Sequence, residues 1–291
     1  MPVVVFGLRS EIRFIFMFLK KLHILYSEYK NTSVLEGSSF KFFFSFWLTK
    51  IFSLLQHKNQ TINNIVHKVV NKLPKPEFII KNNSGIFSVQ AFDDSTTICS
   101  NYFEETLRPW LDRTTHKDIF IDIGANRGIY TILAGTKYGF ETIYAFEPNK
   151  EMYNVLKKNT KLNSLESRTR LYDVAIGSKT SNDRLSVDPM HKGGGKITTD
   201  NYKNNIVMDV KTVPLDSIIE PAELSKIGFI KIDTEGYEKE ALSGMTTTLS
   251  SMPTGSCIMI ETTEIETIKE LLSPYGFTLT EISNYDYLFV K

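Results

Sequence analysis

The chain has 291 residues, of which 42% are hydrophobic and 23% charged, a composition typical of one large folded domain or of a domain with an appendage. This much apolar material excludes a wholly disordered chain, and two cysteines exclude a disulfide framework or a zinc knuckle and favour a reducing compartment. Residues 1–75 hold 11 basic and 3 acidic side chains and the remainder 23 and 30, so a net charge of +1 hides two oppositely charged regions.

The sequence predicts no membrane-spanning helix, because no run of about 18 uncharged apolar residues occurs. The N-terminus lacks the pattern of a secretion signal, since Arg9, Glu11 and Arg13 interrupt its apolar residues. We therefore expect a cytoplasmic protein that reaches at most the inner membrane surface. The basic region contains no nucleic-acid-binding motif, so we expect no nucleic-acid partner.

Two helices are predicted in the basic region, at residues 12–26 and 38–56. The second has a single polar stripe, and aromatic and aliphatic residues cover the rest of its surface. The stripe consists of Lys41, Ser45, Thr49, Ser53 and Gln56. A helix this apolar has to be buried on most sides, inside the protein, against a partner subunit or in a membrane interface. Residues 12–56 are thus predicted to serve internal packing, homo-oligomerisation or peripheral membrane contact.

A domain boundary is predicted near residue 76. A short polar helix over residues 57–76 ends at Pro74 and Pro76, neither of which can continue it. The sequence thus divides into a basic, aromatic-rich helical extension at 1–76 and a second domain at 77–291. The second domain begins with a predicted hairpin over residues 78–89 and a predicted helix from Tyr102 to Asp112.

Strands and helices alternate over the rest of the chain. Strands are predicted at 118–123, 142–146, 169–176, 206–213, 229–232 and 257–260, helices at 128–138, 150–162, 237–250 and 264–272, and a terminal hairpin at 276–290. Residues 183–214 are otherwise expected to be irregular. This alternation predicts an α/β fold, a doubly wound parallel sheet with helices on both faces. Such sheets bind ligands beyond the carboxyl ends of the strands, where the strand order reverses.

The strongest motif, Asp122-Ile-Gly124-Ala-Asn126-Arg-Gly128, follows the first of these strands and opens its helix. Gly124 and Gly128 permit a tight turn that lets a ligand approach the backbone. The dinucleotide fingerprint needs glycine at the first, third and sixth positions of such a turn, but Asn126 and Ile129 occupy the last two. Asp122 suits an ammonium group better than a pyrophosphate. Taken alone, the motif is also compatible with a glycine turn that binds nothing.

Glu147 ends the next strand, 23 positions after Gly124, which is about the spacing at which an acid reaches ribose hydroxyls in nucleotide-binding folds. Its alternative role is to compensate the dipole of the following helix. A cofactor that has a ribose and an amine, and that needs no pyrophosphate, is S-adenosylmethionine. The two motifs together therefore predict this cofactor.

The third motif, Lys231-Ile-Asp233-Thr-Glu235-Gly-Tyr-Glu238, ends a later strand and starts a helix. Asp233 can accept a proton from a substrate hydroxyl or help to hold a metal ion. Capping of the helix and compensation of its dipole are the alternatives for Asp233 and for both glutamates.

The three motifs, with the segment Val213-Pro-Leu-Asp-Ser-Ile-Ile219, resemble those of the FkbM family of S-adenosylmethionine-dependent methyltransferases over about two thirds of the chain. The resemblance implies a class I methyltransferase (Rossmann-like) fold whose seven-stranded sheet ends in an antiparallel hairpin. It implies an O-methyltransferase that acts on an acceptor hydroxyl, often on a sugar in a glycan or glycolipid. It identifies no particular acceptor, and we assign no metal.

The resemblance also implies roles for single residues. Those implied to hold the methionine part of the cofactor are Asp122, Gly124, Asn126 and Gly128. Glu147 would hold the ribose hydroxyls, and Asp173 would reach the adenine or, alternatively, cap a loop. Asp233 and Glu235 would face the methyl group and the acceptor. Arg127 replaces a residue that is often apolar in the family, and we interpret it as solvated on the helix face.

A hydroxyl acceptor has to lose its proton during or before attack. Asp233 is the first candidate for the general base. His191 is the second, because the glycine-rich stretch at 190–195 is expected to close over the site, although an exposed loop histidine is the alternative. Two other classes of function stay open, a non-catalytic binding module with the same fold and a nicotinamide-dependent oxidoreductase, which the glycine spacing disfavours.

Overall fold

The computed structural model describes residues 30–56, 73–188, 191–198 and 205–291. The helix predicted at residues 12–26, and residues 57–72 of the predicted polar helix, lie outside these ranges. The chain forms two compact units, the first comprising the chain up to residue 103 without 84–86, the second comprising 84–86 and 104–291. None of the helices in the described ranges is both long enough and apolar enough to cross a bilayer.

The described residues of the first unit form a three-stranded sheet and helical segments. In chain order these are β1 (Ser33–Glu36), α1 (Ser39–Gln56), β2 (Glu77–Asn82), β3 (Gly85–Gln90) and α2 (Ser95–Ile98), with sheet order β1-β2-β3. The helix predicted at 38–56 and the predicted hairpin are confirmed. The sequence pattern does not predict β1, which pairs antiparallel with β2 and places Val34 opposite Ile80. This pairing covers an otherwise open strand edge, and it joins part of the predicted extension to a strand beyond residue 76.

The second unit is built around a seven-stranded sheet. Along the chain it contains β4 (Ile119–Ile123), α3 (Ile129–Thr136), β5 (Thr142–Phe146), α4 (Lys150–Leu162), β6 (Thr169–Tyr172), β7 (Ala175–Ile176), β8 (Ser181–Asp188), β9 (His191–Ile197), β10 (Ile206–Val213), β11 (Ile227–Ile232), α5 (Glu238–Ser243), α6 (Thr246–Ser251), β12 (Cys257–Glu261), α7 (Ile265–Leu272), β13 (Thr278–Ser283) and β14 (Asp286–Val290). The sheet order is β13-β14-β12-β11-β4-β5-β6. All neighbouring strands are parallel except β14, which is antiparallel to both of its neighbours. This order and the terminal hairpin confirm the predicted class I methyltransferase fold.

Alternate residues of the central strands pack on opposite faces of the large sheet. Ile121 and Ile230 lie in a core cluster with Leu242 and Leu249 of the helices α5 and α6. On the other side, the rings of Phe120, Phe140 and Phe229 pack together with centroids 5.2–6.5 Å apart. Because β4 and β11 are buried along their whole length, their continuous apolar runs are those of strands covered on both faces.

The helix predicted from Tyr102 to Asp112 is wrong. Most of this segment forms turns, and only Arg108–Asp112 forms a short 3₁₀ helix. Glu104 has a left-handed backbone with φ +48°, and Pro109 has no amide hydrogen to donate, so neither residue continues an α-helix. These two backbone constraints end any α-helix in this segment.

Two further predicted elements are interrupted. The strand predicted at 169–176 divides into β6 and β7, because the chain leaves the large sheet after Tyr172 and β7 pairs with β10 instead. The helix predicted at 237–250 divides into α5 and α6 at Gly244. A Cβ at this glycine would lie 2.0 Å from the carbonyl oxygen of Gly177, so the backbone there is in close contact with another loop.

Residues 183–214, expected to be irregular around one strand, form most of a second sheet with order β7-β10-β8-β9. β8 and β10 pair antiparallel from Val187 opposite Ile206 to Ser181 opposite Thr212. Leu185, Val187 and Val210 form a small buried cluster on one face. The glycine-rich stretch expected to be flexible is part of β9.

Candidate active site at the carboxyl edge of the sheet

The order of strands reverses between β4 and β11, and both strands end in one of the sequence motifs. Lys231 of β11 pairs in register with Asp122 of β4, so the two side chains belong to neighbouring strands at the same height. The amide of Asp233 donates to the carbonyl of Ile123 at 3.0 Å, which continues this pairing past the end of β11. The topology therefore brings the first and third motifs together.

The glycine turn after β4 is fixed by contacts of its backbone. The amides of Gly124 and Ala125 both donate to the carbonyl of Phe146, each at 3.0 Å, which ties the turn to the end of β5. Gly124 has φ +77°, and a Cβ there would lie 1.8 Å from the carbonyl oxygen of Asp233. A Cβ at Gly128, which has φ +86°, would lie 2.5 Å from Leu156. Gly124 is thus required by close backbone packing as well as by the turn, and Gly128 by its left-handed backbone.

Glu147 links the first and second motifs. Its two carboxylate oxygens accept hydrogen bonds from the amides of Asn126 and Asn149, each at 2.8 Å. The side chain is buried, and burial raises the pKa of Glu147 to about 7 although these two bonds act to lower it. Each oxygen keeps a second lone pair, so the carboxylate is held in place and can still accept donors such as ribose hydroxyls.

Asp122 and Asn126 present unused acceptors at this edge. Asp122 is fully buried, and its Oδ2 accepts a 2.6 Å hydrogen bond from the hydroxyl of Thr131. Its Oδ1 and the Oδ1 of Asn126 are buried and have no hydrogen-bond partner among the described residues. Burial also raises the pKa of Asp122. Two buried acceptors without donors fit a ligand that brings donors and positive charge, as the ammonium and sulfonium groups of S-adenosylmethionine do.

Asp233 forms an ion pair with Lys231, whose Nζ lies 2.9 Å from Oδ2 of Asp233. The ammonium of Lys231 also lies 5.2 Å from the centre of the Tyr130 ring. Burial lowers the pKa of Lys231, but the attraction of Asp233, Asp122 and Glu104 outweighs burial and leaves this pKa above its usual value. The lysine is therefore a permanent cation that positions Asp233 at the end of β11.

Three acids that the sequence does not single out lie at the same edge. Glu104 accepts a 2.6 Å hydrogen bond from the hydroxyl of Tyr130, and burial raises the pKa of this glutamate. Glu261 and Asp286 are paired in register on β12 and β14. Partial burial, together with repulsion from neighbouring carboxylates, raises the pKa of each to about 7. Glu261 ends a parallel strand, the signal that identifies Glu147, whereas no sequence pattern indicates Glu104.

Asp173 lies at the surface and contacts a lysine. It follows β6, is exposed, and forms an ion pair with Lys150. The hydrogen bond from Lys150 holds the pKa of Asp173 below its usual value. Arg127 is buried, so the interpretation of this arginine as a solvated residue is wrong. Its carbonyl accepts a 2.8 Å hydrogen bond from the side chain of Asn159, which joins the glycine turn to α4.

The two glutamates of the third motif, Glu235 and Glu238, differ in exposure and in hydrogen bonding. Glu235 is exposed and has a left-handed backbone with φ +56°. Glu238 is buried and accepts hydrogen bonds from the amides of Thr234 and Gly236, at 3.2 and 2.9 Å, and from the hydroxyl of Thr234 at 2.8 Å. It therefore shapes the loop that carries Asp233.

His191 is the first residue of β9, and its side chain is outside the described part of the structure. Its strand reaches the glycine turn, because a Cβ at Gly193 would lie 2.3 Å from Nδ2 of Asn126. Within the described ranges, no group of three or more His, Cys, Asp or Glu side chains is arranged to hold a metal ion.

Comparison with known proteins matches the part of the chain that contains the three motifs. The family model of the methyltransferase FkbM domain matches residues 122–289. The chain is 28% identical over 152 residues to the hexuronic acid methyltransferase AglP of Haloferax volcanii, covering 51% of this chain and 59% of that protein. It is 24% identical over 144 residues to methyltransferase 1 of Beauveria bassiana, covering 43% and 57%. The chain thus spans less than two thirds of the length of these relatives.

Among solved structures, the fold is similar to the methyltransferase FkbM of Methylobacillus flagellatus KT, with a TM-score of 0.44 and 18% identity over 60% of this chain and 44% of that one.

Proposed function

The chain belongs to the FkbM family of S-adenosylmethionine-dependent methyltransferases, and we propose that it transfers the methyl group of this cofactor to a hydroxyl of a sugar. The observation that carries the proposal is the set of buried acceptors at the carboxyl edge of the sheet, the Oδ1 atoms of Asp122 and Asn126 and the carboxylate of Glu147. All three lie in or against the glycine turn. When bound, the cofactor supplies a sulfonium-activated methyl group.

In this proposal the residues of the first two motifs bind and orient the cofactor. Asp122 and Asn126 accept hydrogen bonds from its amino-acid part, and Glu147 accepts them from the ribose hydroxyls. Gly124 and Gly128 keep the turn close to β11 and α4, and Asp173 lies on the adenine side. The proposal for Asp173 requires its ion pair with Lys150 to open or to rearrange.

Asp233 is proposed as the general base, with Lys231 as the residue that positions it. The ion pair of 2.9 Å fixes one carboxylate oxygen, and the side chain is 29% exposed, so it can be reached by an acceptor. Alignment of the acceptor with the methyl group provides the larger part of the catalysis, and proton removal by Asp233 adds to it. Glu235 is proposed to contact the acceptor, and His191 is the second candidate base.

The charge of the edge favours a hydroxyl over a carboxylate as the acceptor. The relative from Haloferax volcanii is named for hexuronic acid, which carries both kinds of oxygen. A carboxylate acceptor needs no base, but here it would meet the negative charge of Asp233, Glu261 and Asp286. Burial, together with repulsion from neighbouring carboxylates, already raises the pKa of the last two to about 7. We therefore propose a neutral sugar, attached to a glycan or glycolipid, as the acceptor.

Calorimetric titration with S-adenosylhomocysteine tests the cofactor site. We expect binding by the wild-type protein, loss of at least about tenfold in affinity for Glu147→Gln because the ribose loses a charged acceptor, and no binding of nicotinamide dinucleotide. Asp233→Asn is the matched control, since it should bind S-adenosylhomocysteine as the wild type does. Equal affinity of Glu147→Gln and wild type would contradict the assignment of the ribose site.

Methyl transfer to a pair of model acceptors, a methyl glucoside and a methyl glucuronoside, tests the acceptor class. We expect faster transfer to the neutral sugar and an ether product that survives mild alkali. Asp233→Asn should lower the rate by roughly 10²–10⁴-fold with cofactor affinity unchanged, which His191→Asn should not do if Asp233 is the base. An alkali-labile ester, formed faster on the glucuronoside, would instead show a carboxylate acceptor.

A further inference from the structure

We infer that the outer face of α1, formed by Phe40, Phe44 and Trp47, docks on the surface of an anionic lipid bilayer. The inference concerns the first unit alone and does not depend on the reaction proposed for the second. It rests on three observations about this helix, namely how its inner face is packed, what its outer face exposes, and which charges surround it.

The inner face of α1, over the residues whose side chains the structure describes (39–48), packs within its own unit. Phe42 and Phe46 are 3% and 2% exposed, and the ring of Phe42 meets Phe78 of β2 edge to face, with centroids 5.5 Å apart. Ser45, in the predicted polar stripe, is buried on this same face, where its hydroxyl donates to the carbonyl of Phe42 at 2.8 Å. The core of the unit therefore takes up one aromatic face of the helix.

The outer face is aromatic as well, although it is exposed. Phe40, Phe44 and Trp47 are 78%, 48% and 46% exposed. Their spacing of four and three residues places them on one side of the helix, and the rings of Phe40 and Phe44 stack with centroids 6.0 Å apart. Three adjacent aromatic side chains in water form a patch of the kind that marks a protein or membrane contact. The expectation that most sides of this helix are buried therefore fails for this face in the described structure.

The positive charge of the sequence segment that contains α1 favours anionic lipid as the partner. In the sequence, residues 37–76 contain six lysines and no aspartate or glutamate, between the exposed Glu36 and Glu77, and of these lysines Lys41 is exposed beside Phe40 and Phe44. Two copies of so basic a segment repel each other, which disfavours a symmetric dimer through this face. Lysines next to Phe and Trp on one face are the combination by which interfacial helices bind anionic lipid, the aromatic rings entering the headgroup region and the lysines attracting phosphate.

Flotation of the full chain with vesicles tests the inference. We expect binding to vesicles of phosphatidylcholine with about one third phosphatidylglycerol, weak binding to phosphatidylcholine alone, and weakening by salt. The triple substitution Phe40→Ser, Phe44→Ser, Trp47→Ser should lower binding by roughly tenfold or more. The control is Ile206→Ser with Val207→Ser, at residues that are 51% and 42% exposed in β10, and it should bind as the wild type does.

Trp47 provides a second readout that does not depend on a loss of binding. The chain has two tryptophans, and the other, Trp110, is buried at 5% exposure. In a Trp110→Phe variant, brominated anionic lipid should quench and blue-shift the fluorescence of Trp47. Unquenched fluorescence, or equal flotation of the triple variant and wild type, would overturn the inference. So would a dimer in solution that the triple substitution dissociates, because the face would then be an interface between copies.

Discussion

Gly124 and Gly139 have nearly the same backbone conformation, with φ +77° and +75°, in very different surroundings. A Cβ at Gly124 would lie 1.8 Å from the carbonyl oxygen of Asp233, whereas a Cβ at Gly139 would have no atom within 4 Å. Gly139→Ala should therefore cost only the strain of a left-handed alanine, about 1–2 kcal/mol of unfolding free energy. Gly124→Ala should cost several kcal/mol more and abolish binding of S-adenosylhomocysteine. Urea unfolding and calorimetry of the two variants measure both effects, and equal losses would show that the two loops do not touch.

Lys231 is the buried cation that compensates Asp122 and Asp233. Lys231→Met should lower the free energy of unfolding by about 3–5 kcal/mol near pH 8, because it leaves the buried Asp122 and the partly exposed Asp233 without a compensating cation. The loss should be smaller near pH 5, since the raised pKa of Asp122 allows protonation to neutralise that charge. Denaturant unfolding at both pH values measures the difference.

The exposed ion pair of Lys269 with Glu266, 2.8 Å long, is the matched control. Lys269→Met should change stability by less than about 1 kcal/mol at either pH. A loss for Lys231→Met that does not depend on pH would mean that packing of the lysine stem, rather than its charge, is what matters.

At the residue scale, the sequence predicts the site residues that lie at the ends of parallel strands, but it misses acidic residues that belong to other parts of the chain. Asp122 is the penultimate residue of its strand, and Glu147 and Asp233 directly follow theirs, so the topology brings all three to one edge. Glu104 reaches the same edge from a turn before the first strand of the large sheet, through its bond to Tyr130. No periodicity in the sequence encodes that contact, since it depends on tertiary packing.

At the scale of elements, Asp216 connects the segment before β11 to the N-terminal end of α6. Its two carboxylate oxygens accept hydrogen bonds from the amides of Thr247 and Thr248, at 2.8 and 2.9 Å, and from the hydroxyl of Thr248 at 2.7 Å. It thus caps the first turn of α6 from 31 residues away in the chain. This is the acid of the segment 213–219 on which part of the family resemblance rests.

Asp216→Ala should lower the free energy of unfolding by about 1–2 kcal/mol, because it removes acceptors from the N-terminal amides of α6. The variant should still bind S-adenosylhomocysteine, since the cap lies outside the glycine turn. Urea unfolding measures the loss, and Asp209→Ala, at an exposed position of β10, is the control with little expected change. If both substitutions cost the same, the cap has no energetic role.

The elements that the sequence predicts well are those whose pattern is set by burial within the element. The apolar runs of β4, β11 and β12 and the amphipathic α4 belong to this group, and all four are confirmed. In the second sheet, β8 and β9 are missed, because they are partly exposed and Gly193 to Gly195 are typical of a loop, whereas β7 is predicted only as the end of a longer strand. The break between α5 and α6 is also missed, since it depends on the approach of Gly177 to Gly244.

At the scale of the whole molecule, several carboxyl groups at the edge of the sheet share one electrostatic property. Burial, in part with neighbouring carboxylates, raises the pKa of each of them: Glu104, Asp122, Glu147, Glu261 and Asp286. In the unfolded chain the same groups ionise near their ordinary pKa values. Between about pH 5 and 7 the folded protein therefore binds more protons than the unfolded chain, so the free energy of unfolding falls as pH rises.

We expect the ligand-free protein to be more stable near pH 5.5 than near pH 8.5 in urea unfolding. Glu147 alone, with its pKa raised from 4.5 to about 7, accounts for up to about 3 kcal/mol of this difference. Glu147→Gln keeps the shape of the side chain without its charge, so its stability should depend less on pH than that of the wild type. Stability that rises with pH in both proteins would contradict the electrostatic account of the edge.

Binding of S-adenosylhomocysteine should oppose this effect, because its ammonium group and ribose hydroxyls favour ionised Asp122 and Glu147. The ligand should therefore stabilise the wild-type protein more near pH 8.5 than near pH 5.5. Both measurements use the same ligand concentration, set as a multiple of the dissociation constant measured at pH 7. Affinity should likewise fall as the pH drops below about 7, where Glu147 becomes protonated. In Glu147→Gln that part of the pH dependence should vanish. The carboxylates that destabilise the empty fold are then the groups that select a cationic, ribose-bearing cofactor.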